Sequence, residues 1–213
     1  GAFGAAFAIN SIGSDDEAND IWADVDTSTI TAAGPVSVNA ESDAYIFALA
    51  IGAAGSVSGS GSGNARSGSL AGSATVNKIR NKTQARVGNG SSVTTTAGSG
   101  GTVSVTAADE SAINATAGSA SVGISMGSNG QSVAFGLGFS LTINDIANTV
   151  LGVVEDSDLT ADGAVTVSAL SDSEIQSLAF GLSVTVAISG GDTAIAANAT
   201  GALSFNYIDN TIE

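Results

Sequence analysis

The stretch STITAAGPVSVNAESDAYI at Ser28–Ile46 recurs without a gap as SDLTADGAVTVSALSDSEI at Ser157–Ile175. In both copies a glycine-containing turn leads into alternating apolar residues, Val36 and Val38 in the first and Val165 and Val167 in the second. Steps of two place side chains on one face of a β-strand. Recurrence of the whole segment marks an architecture of stacked units, none of which buries its apolar face alone.

Working outward, the repeat extends over the chain. FAINSI at Phe7–Ile12 corresponds to TVNKIRN at Thr75–Asn81, TINDIAN at Thr142–Asn148 and FNYIDN at Phe205–Asn210. The shared asparagines Asn10, Asn77, Asn144 and Asn206 are spaced by 67, 67 and 62 residues. A shorter interval lies inside each copy: Val38, Val57 and Val76 are 19 apart, as are Val105, Ile124 and Ile143, and Val167, Val186 and Phe205. Read as interior anchors, these residues predict an all-β, right-handed parallel β-helix (β-solenoid) with rungs of about 19 residues, three rungs per 62–67-residue repeat. Right-handedness follows from the strong bias of parallel crossovers. Ten such anchors at about 4.8 Å each predict a rod of about 45–50 Å. The domain expectation is one continuous segment over 1–213, with repeats at about 1–67, 68–134 and 135–200 and a partial one at 201–213. The chain begins and stops in mid-repeat, which suggests a window on a longer chain or a subunit whose ends are covered by neighbours.

Turn residues support this frame. Ala33-Gly34-Pro35, Gly98-Ser99-Gly100-Gly101 and Asp162-Gly163 precede the anchors. Glu41-Ser42-Asp43, Asp109-Glu110-Ser111 and Ser171-Asp172-Ser173 follow them and read as the next corners. VSGSGSGNARSGSL at Val57–Leu70 reads as a flexible corner or a loop on one face. Along Ile175–Ile188 the large residues Leu178, Phe180, Leu182, Val184, Val186 and Ile188 are expected inside. The small ones, Ser177, Ala179, Gly181, Ser183, Thr185 and Ala187, are then left on a flat outer face, open to lateral contact with another sheet or neighbouring subunit or simply solvated.

Composition agrees with thin, regular layers. Hydrophobic residues make up 43% of the 213, but only 5% are aromatic and 12% charged, and there are 28 glycines and a single proline, Pro35. So apolar and patterned a chain is not a disordered tract. Two long uncharged runs, Ala44–Ala65 and Ile175–Gly191, invite a membrane reading. Alternation in the second marks a strand with one buried face, so no membrane span is expected. The net charge of −15 repels nucleic acid, and no basic stripe offsets it.

With no histidine and no cysteine, Ser-His-Asp and Cys-His arrangements and thiolate metal sites are excluded. Carboxylates remain. Asp15, Asp16, Glu17, Asp20, Asp24 and Asp26 cluster in the first copy, and Glu155, Asp156, Asp158 and Asp162 in the third. The second copy has Asn89-Gly90-Ser91-Ser92 there instead. No catalytic or cofactor-binding residue is assigned. Asp15, Asp16, Glu17 and Asp20 are candidate ligands of a weak calcium site, because calcium takes hard oxygen donors; the alternative is a solvated turn. Gly190-Gly191-Asp192 matches part of a calcium-binding nonapeptide repeat. The asparagine pairs Asn77/Asn81, Asn144/Asn148 and Asn206/Asn210 are expected to cap a corner. Recurring only every third rung, they are not expected to touch from copy to copy.

The element T/S-x-L/I-T-A-x-G-x-V-x-V-x-A at Thr29–Ala40 and Asp158–Ala169 resembles the repeats of giant bacterial surface proteins, namely filamentous-haemagglutinin-like and leukotoxin-type filamentous adhesins. The resemblance implies export to the cell surface or exterior, a rod-like shaft and attachment to cells or surfaces. The expected role is therefore a non-catalytic structural shaft or repeat segment of an extracellular fibre. Its expected partners are adjacent copies of the same solenoid or neighbouring fibre subunits, together with host or other cell surfaces or glycans. Two alternatives stay open: a subunit of a self-assembling extracellular filament or sheath, and a β-helix polysaccharide-active enzyme.

Overall fold

The structure is a computed structural model that describes every residue except Ala97, Ser99 and Asp192. Part of the Gly98–Gly101 turn and the end of the Gly190-Gly191-Asp192 motif thus lie outside the described residues. The chain winds through β1 (Ala2–Ile12), β2 (Asn19–Asp26), β3 (Thr29–Ala32) and β4 (Val36–Ser60) in a first coil. The second coil is β5 (Ala65–Ile79), β6 (Asn81–Gly88), β7 (Ser92–Thr95) and β8 (Val103–Gly127). The third is β9 (Ser132–Ile146), β10 (Thr149–Val154), β11 (Asp158–Thr160) and β12 (Val165–Ser189), and β13 (Ala194–Ile208) and β14 (Thr211–Ile212) begin a fourth. Equivalent strands stack into four sheets: A (β1-β5-β9-β13), B (β2-β6-β10-β14), C (β3-β7-β11) and D (β4-β8-β12). Every pairing is parallel. This is a parallel β-solenoid.

The stacking unit is the whole 62–67-residue repeat, and the 19-residue rung is corrected accordingly. Val38 pairs with Val105 and Val105 with Val167. Val57 pairs with Ile124, and Val76 with Ile143. Val38 and Val57 are no neighbours in a ladder; they lie on one uninterrupted strand, β4. Likewise Val167 and Val186 share β12, while Phe205 lies on β13. The expected tall rod gives way to a low, wide coil. At 25 residues, β4 runs about 80 Å, whereas the axial rise is only about 4.8 Å per coil.

Two features explain the error. Nineteen is odd, and along a continuous strand an odd separation reverses the face; Val38 is buried while Val57 is exposed. In addition, Glu41–Asp43, Asp109–Ser111 and Ser171–Ser173 make no corner, since each lies inside a 25-residue strand. Their inward-pointing polar residues are held across the coil by asparagine side chains, as described below. Other turn expectations hold. Gly34-Pro35 and Asp162-Gly163 lie between strands, whereas of Val57–Leu70 only residues 61–64 make a corner, the rest belonging to β4 and β5. The corner after β2, β6 and β10 repeats one conformation, with Thr27 (φ 46°), Asn89 (φ 54°) and Asp156 (φ 46°) all left-handed.

The interior changes character along the width of the coil. Where sheets B, C and the start of D meet, Val38, Val87, Val93, Val103, Val105 and Val150 form one apolar cluster. Further along, Ile46, Ile113, Ile79 and Ile146 form a second between sheets A and D. Beyond it, past the inward asparagines Asn77 and Asn144 and threonines Thr75 and Thr142, small residues face one another: Ala48, Ala50 and Ala54 on sheet D and Ser67, Ser69, Ala71 and Ser73 on sheet A. The two sheets approach so closely there that a Cβ on Gly52 would lie 1.9 Å from the Gly72 carbonyl oxygen.

Parity set by the two apolar clusters therefore sends the large side chains of this thin region outward. Leu178, Phe180, Leu182, Val184, Val186 and Ile188 are exposed, and their small neighbours Ser177, Ala179, Gly181, Ser183, Thr185 and Ala187 share the inward face of β12. The sequence expectation for Ile175–Ile188 is thus inverted. With Ile175 packed on the second cluster and no bulge in the strand, Leu178 is three residues away and must take the other face. Among the described residues no helix is long and apolar enough to cross a membrane.

Candidate functional site

The polar groups with the most developed geometry lie inside the coil. Asn10 donates through Nδ2 to Asn77 Oδ1, Asn77 to Asn144, and Asn144 to Asn206, each at 2.8 Å. This continuous amide ladder contradicts the expectation that the asparagines do not touch. Because the coil is 67 or 62 residues long, residues at that spacing are direct neighbours, and stacked amides pair as they do in cross-β ladders. A second column does cap a corner: Asn148 Oδ1 accepts from the Asn81 backbone N–H and Asn210 Oδ1 from that of Asn148, both at 2.9 Å.

The amides of this second column point into the coil and meet the strand that runs opposite. Asn81 Nδ2 donates to Ser42 Oγ at 3.0 Å and to Asp109 Oδ2 at 3.1 Å. Asn148 Nδ2 donates to Asp109 Oδ1 at 2.5 Å and to Ser111 Oγ at 2.9 Å. Asn210 Nδ2 reaches Ser171 and Ser173 at 2.9 and 2.8 Å. Asp109 is 1% exposed and accepts from Ser111 as well, at 2.7 Å. A buried carboxylate surrounded by donors is a structural tie, since each donor left unpaired would carry a desolvation cost. These acids and serines have the composition of turn residues; the signal that identifies them is the constant offset of 39 from Ser42 to Asn81, Asp109 to Asn148 and Ser171 to Asn210.

Outside the coil, the two acidic clusters are brought onto cations of the second copy. Lys78 Nζ lies 2.7 Å from Asp15, and Arg80 bridges Asp15 at 3.2 Å and Asp145 at 2.6 Å. The hydrogen bond and charge of Lys78, with Arg80 adding to them, hold the Asp15 carboxyl below its ordinary range. The Arg80 guanidinium is pushed up chiefly by the hydrogen bond it donates to Asp145, against the effect of burial. Arg86 binds Glu155 at 2.6 Å in the third coil and Asp24 at 3.3 Å and Asp26 at 3.5 Å in the first. Its protonated form is favoured first by the Glu155 hydrogen bond. The middle coil thus carries the positive charge that joins the acidic coils on either side.

Asp15 of the candidate calcium set is accordingly committed to Lys78 and Arg80. Asp16, Glu17 and Asp20 are exposed, in the turn closed by the Ser14 N–H to Glu17 carbonyl bond and at the start of β2. Among the described residues, no three acidic side chains converge where they could share a metal ion. Trp22, exposed on sheet B, has Lys82 Nζ 5.7 Å from its ring centre.

The broad outer faces of sheets A and D are apolar. On sheet A the outward rows include Phe3, Phe7 and Ile9, then Leu70, then Phe135, Leu137 and Phe139, then Leu203 and Phe205. Glycines on these faces receive rings from the next coil: a Cβ at Gly68 would lie 2.4 Å from the Phe135 ring, and one at Gly118 the same distance from Phe180. No known protein family, curated protein or solved structure matches the chain.

Proposed function

We propose that the chain is a non-catalytic structural segment of a long extracellular or cell-surface fibre, in which further 62–67-residue coils extend the solenoid axis. The observation that carries this reading is the unbroken register of β4, β8 and β12 over 25 residues each. Such ladders transmit load through backbone hydrogen bonds and make each coil dependent on its neighbours. The buried amide ladder and the Arg80 and Arg86 clamps act in the same sense, tying coil to coil along the axis. A fibre role of this kind is what the resemblance to filamentous adhesins implies. Electron microscopy of the native material tests it: slender rods attached to cells or shed from them are expected, and compact particles would refute it.

A second reading, a subunit of a self-assembling filament or sheath, is favoured by one observation. The strands β4, β8 and β12 stack in one parallel register, and the same ladder can form between β12 of one copy and β4 of another. Ordered polymers formed by the purified chain would support it over the single-chain shaft.

A further inference from the structure

The outer face of sheet A is a broad, apolar and sparsely charged surface of four strands. Its outward residues on β1 are Phe3, Ala5, Phe7 and Ile9, and those on β9 run from Val133 through Phe135, Leu137 and Phe139 to Ile143. Cations stand only at the two ends of β5, at Arg66 and Lys78, and the single carboxylate on these four strands' outward faces is Asp145, which Arg80 holds at 2.6 Å. In a chain of net charge −15 this is a marked local depletion of acid. Sheet D differs: its outer face is clear of charge only from Tyr45, Ala112 and Gln176 onward, over three strands instead of four, and the remainder carries Glu41, Asp43, Glu110, Asp172 and Glu174, so two whole faces brought together would set carboxylate against carboxylate.

Size points the same way. A 15-residue strand is about 50 Å long, and four strands at about 4.8 Å span about 19 Å, which gives a face of roughly 950 Å². A stable interface between proteins needs about 800 Å² from each partner. An apolar centre with charged residues confined to the rim is the usual anatomy of such a contact. Apolar patches on monomers rarely exceed a few hundred Å².

We propose that sheet A is a lateral pairing surface for a second copy of this chain, the two copies meeting face to face through Phe7, Leu70, Leu137, Phe139 and Phe205. A self-complementary face makes a closed, two-fold contact. The contact goes beyond the shaft reading: it joins solenoids side by side, at right angles to the axis along which coils are added, and holds whether those coils belong to one chain or several.

Light scattering on the 213-residue chain tests the pairing. The wild type is expected at twice the single-chain mass at micromolar concentration, and Leu137→Glu with Phe139→Glu at the single-chain mass, with pairing weakened at least tenfold and the far-ultraviolet circular dichroism unchanged. Leu182→Glu, outward on sheet D, is expected to leave the pair intact. A single-chain wild type at all concentrations, or dissociation by Leu182→Glu instead, would overturn the proposal. So would flotation of a monomeric wild type with phosphatidylcholine vesicles that the sheet A substitutions abolish, which would assign the face to lipid. Should the double variant fail to fold, cysteine trapping decides. The chain has no cysteine, so Leu137→Cys is expected to give a disulfide-linked or bis-maleimide-linked pair and Leu182→Cys none; equal yields from both would sink the idea.

Discussion

Asn77 and Asn144 sit one above the other in consecutive coils, both fully buried, and the amide of the first donates to the carbonyl oxygen of the second at 2.8 Å. Asn144 in turn donates to Asn206, so its removal strands one buried donor and one acceptor. Asn144→Ala is expected to cost about 2–4 kcal/mol, given about 1–3 kcal/mol for each buried group left unpaired. Asn10, at the end of the ladder and partly buried, has one amide partner, and Asn10→Ala is expected to cost about 1 kcal/mol. Urea unfolding of the two variants checks this; equal losses would show that the ladder does not act as a chain of paired amides.

Asp109 occupies the register position held by Ser42 in the coil below and Ser171 in the coil above. Each of those serines accepts a hydrogen bond from an asparagine of its own column. Asp109→Ser is therefore expected to retain part of the node, whereas Asp109→Ala leaves the amides of Asn81 and Asn148 short of an acceptor. The alanine variant is expected to lose about 3 kcal/mol or more and the serine variant roughly half that, by thermal or urea unfolding. The reverse order would contradict the structural role given to this carboxylate.

Glycines of this protein divide by what stands in front of them. A methyl group at Gly52 would meet the backbone of Gly72 at 1.9 Å, and neither strand can yield without breaking its ladder. At Gly118 the obstacle is the tip of the Phe180 ring, itself 43% exposed and free to swing outward. Gly52→Ala is expected to destabilise by about 3 kcal/mol or to prevent folding, in line with overpacking of a close-packed interior. Gly118→Ala is expected to cost less than about 1 kcal/mol. Melting temperatures of the pair decide whether the two sheets approach as closely as described.

The Asp15 carboxyl, held below its ordinary value of 3.8 by Lys78 and then Arg80, predicts a dependence on acid. A depressed folded-state value contributes stability that is present above the unfolded-state value and is lost as pH falls through the folded one. The wild type is thus expected to exceed Asp15→Asn slightly in stability at pH 6, with the two converging below pH 3. Because Asp15 is exposed, the gap is expected to shrink in high salt as well. Urea midpoints across pH and salt check this; a gap that persists at pH 2 would locate the effect elsewhere.

The amino-acid order alone determines that this chain is a parallel solenoid. Copies of one pattern 62 and 67 residues apart, rich in β-branched and small residues, have no other economical way to satisfy their backbones than to stack on one another. It also marks Asn77 and Asn144, Val38 and Val105, Ile79 and Ile146 as equivalent positions, and all three pairs are ladder partners. What the order does not determine is where the chain turns. Asp109, Ser111 and Ser171 have the chemistry of corner residues, and only the opposite wall of the coil, with Asn81, Asn148 and Asn210 in reach, makes an uninterrupted strand the lower-energy path. Once those strands run straight, parity does the rest: the side chains from Leu178 to Ile188 that local alternation would place inside are carried outward, because the two sheets close on each other at glycine and serine. Local sequence encodes which residues share a face, and tertiary packing decides which of the two faces is the inside.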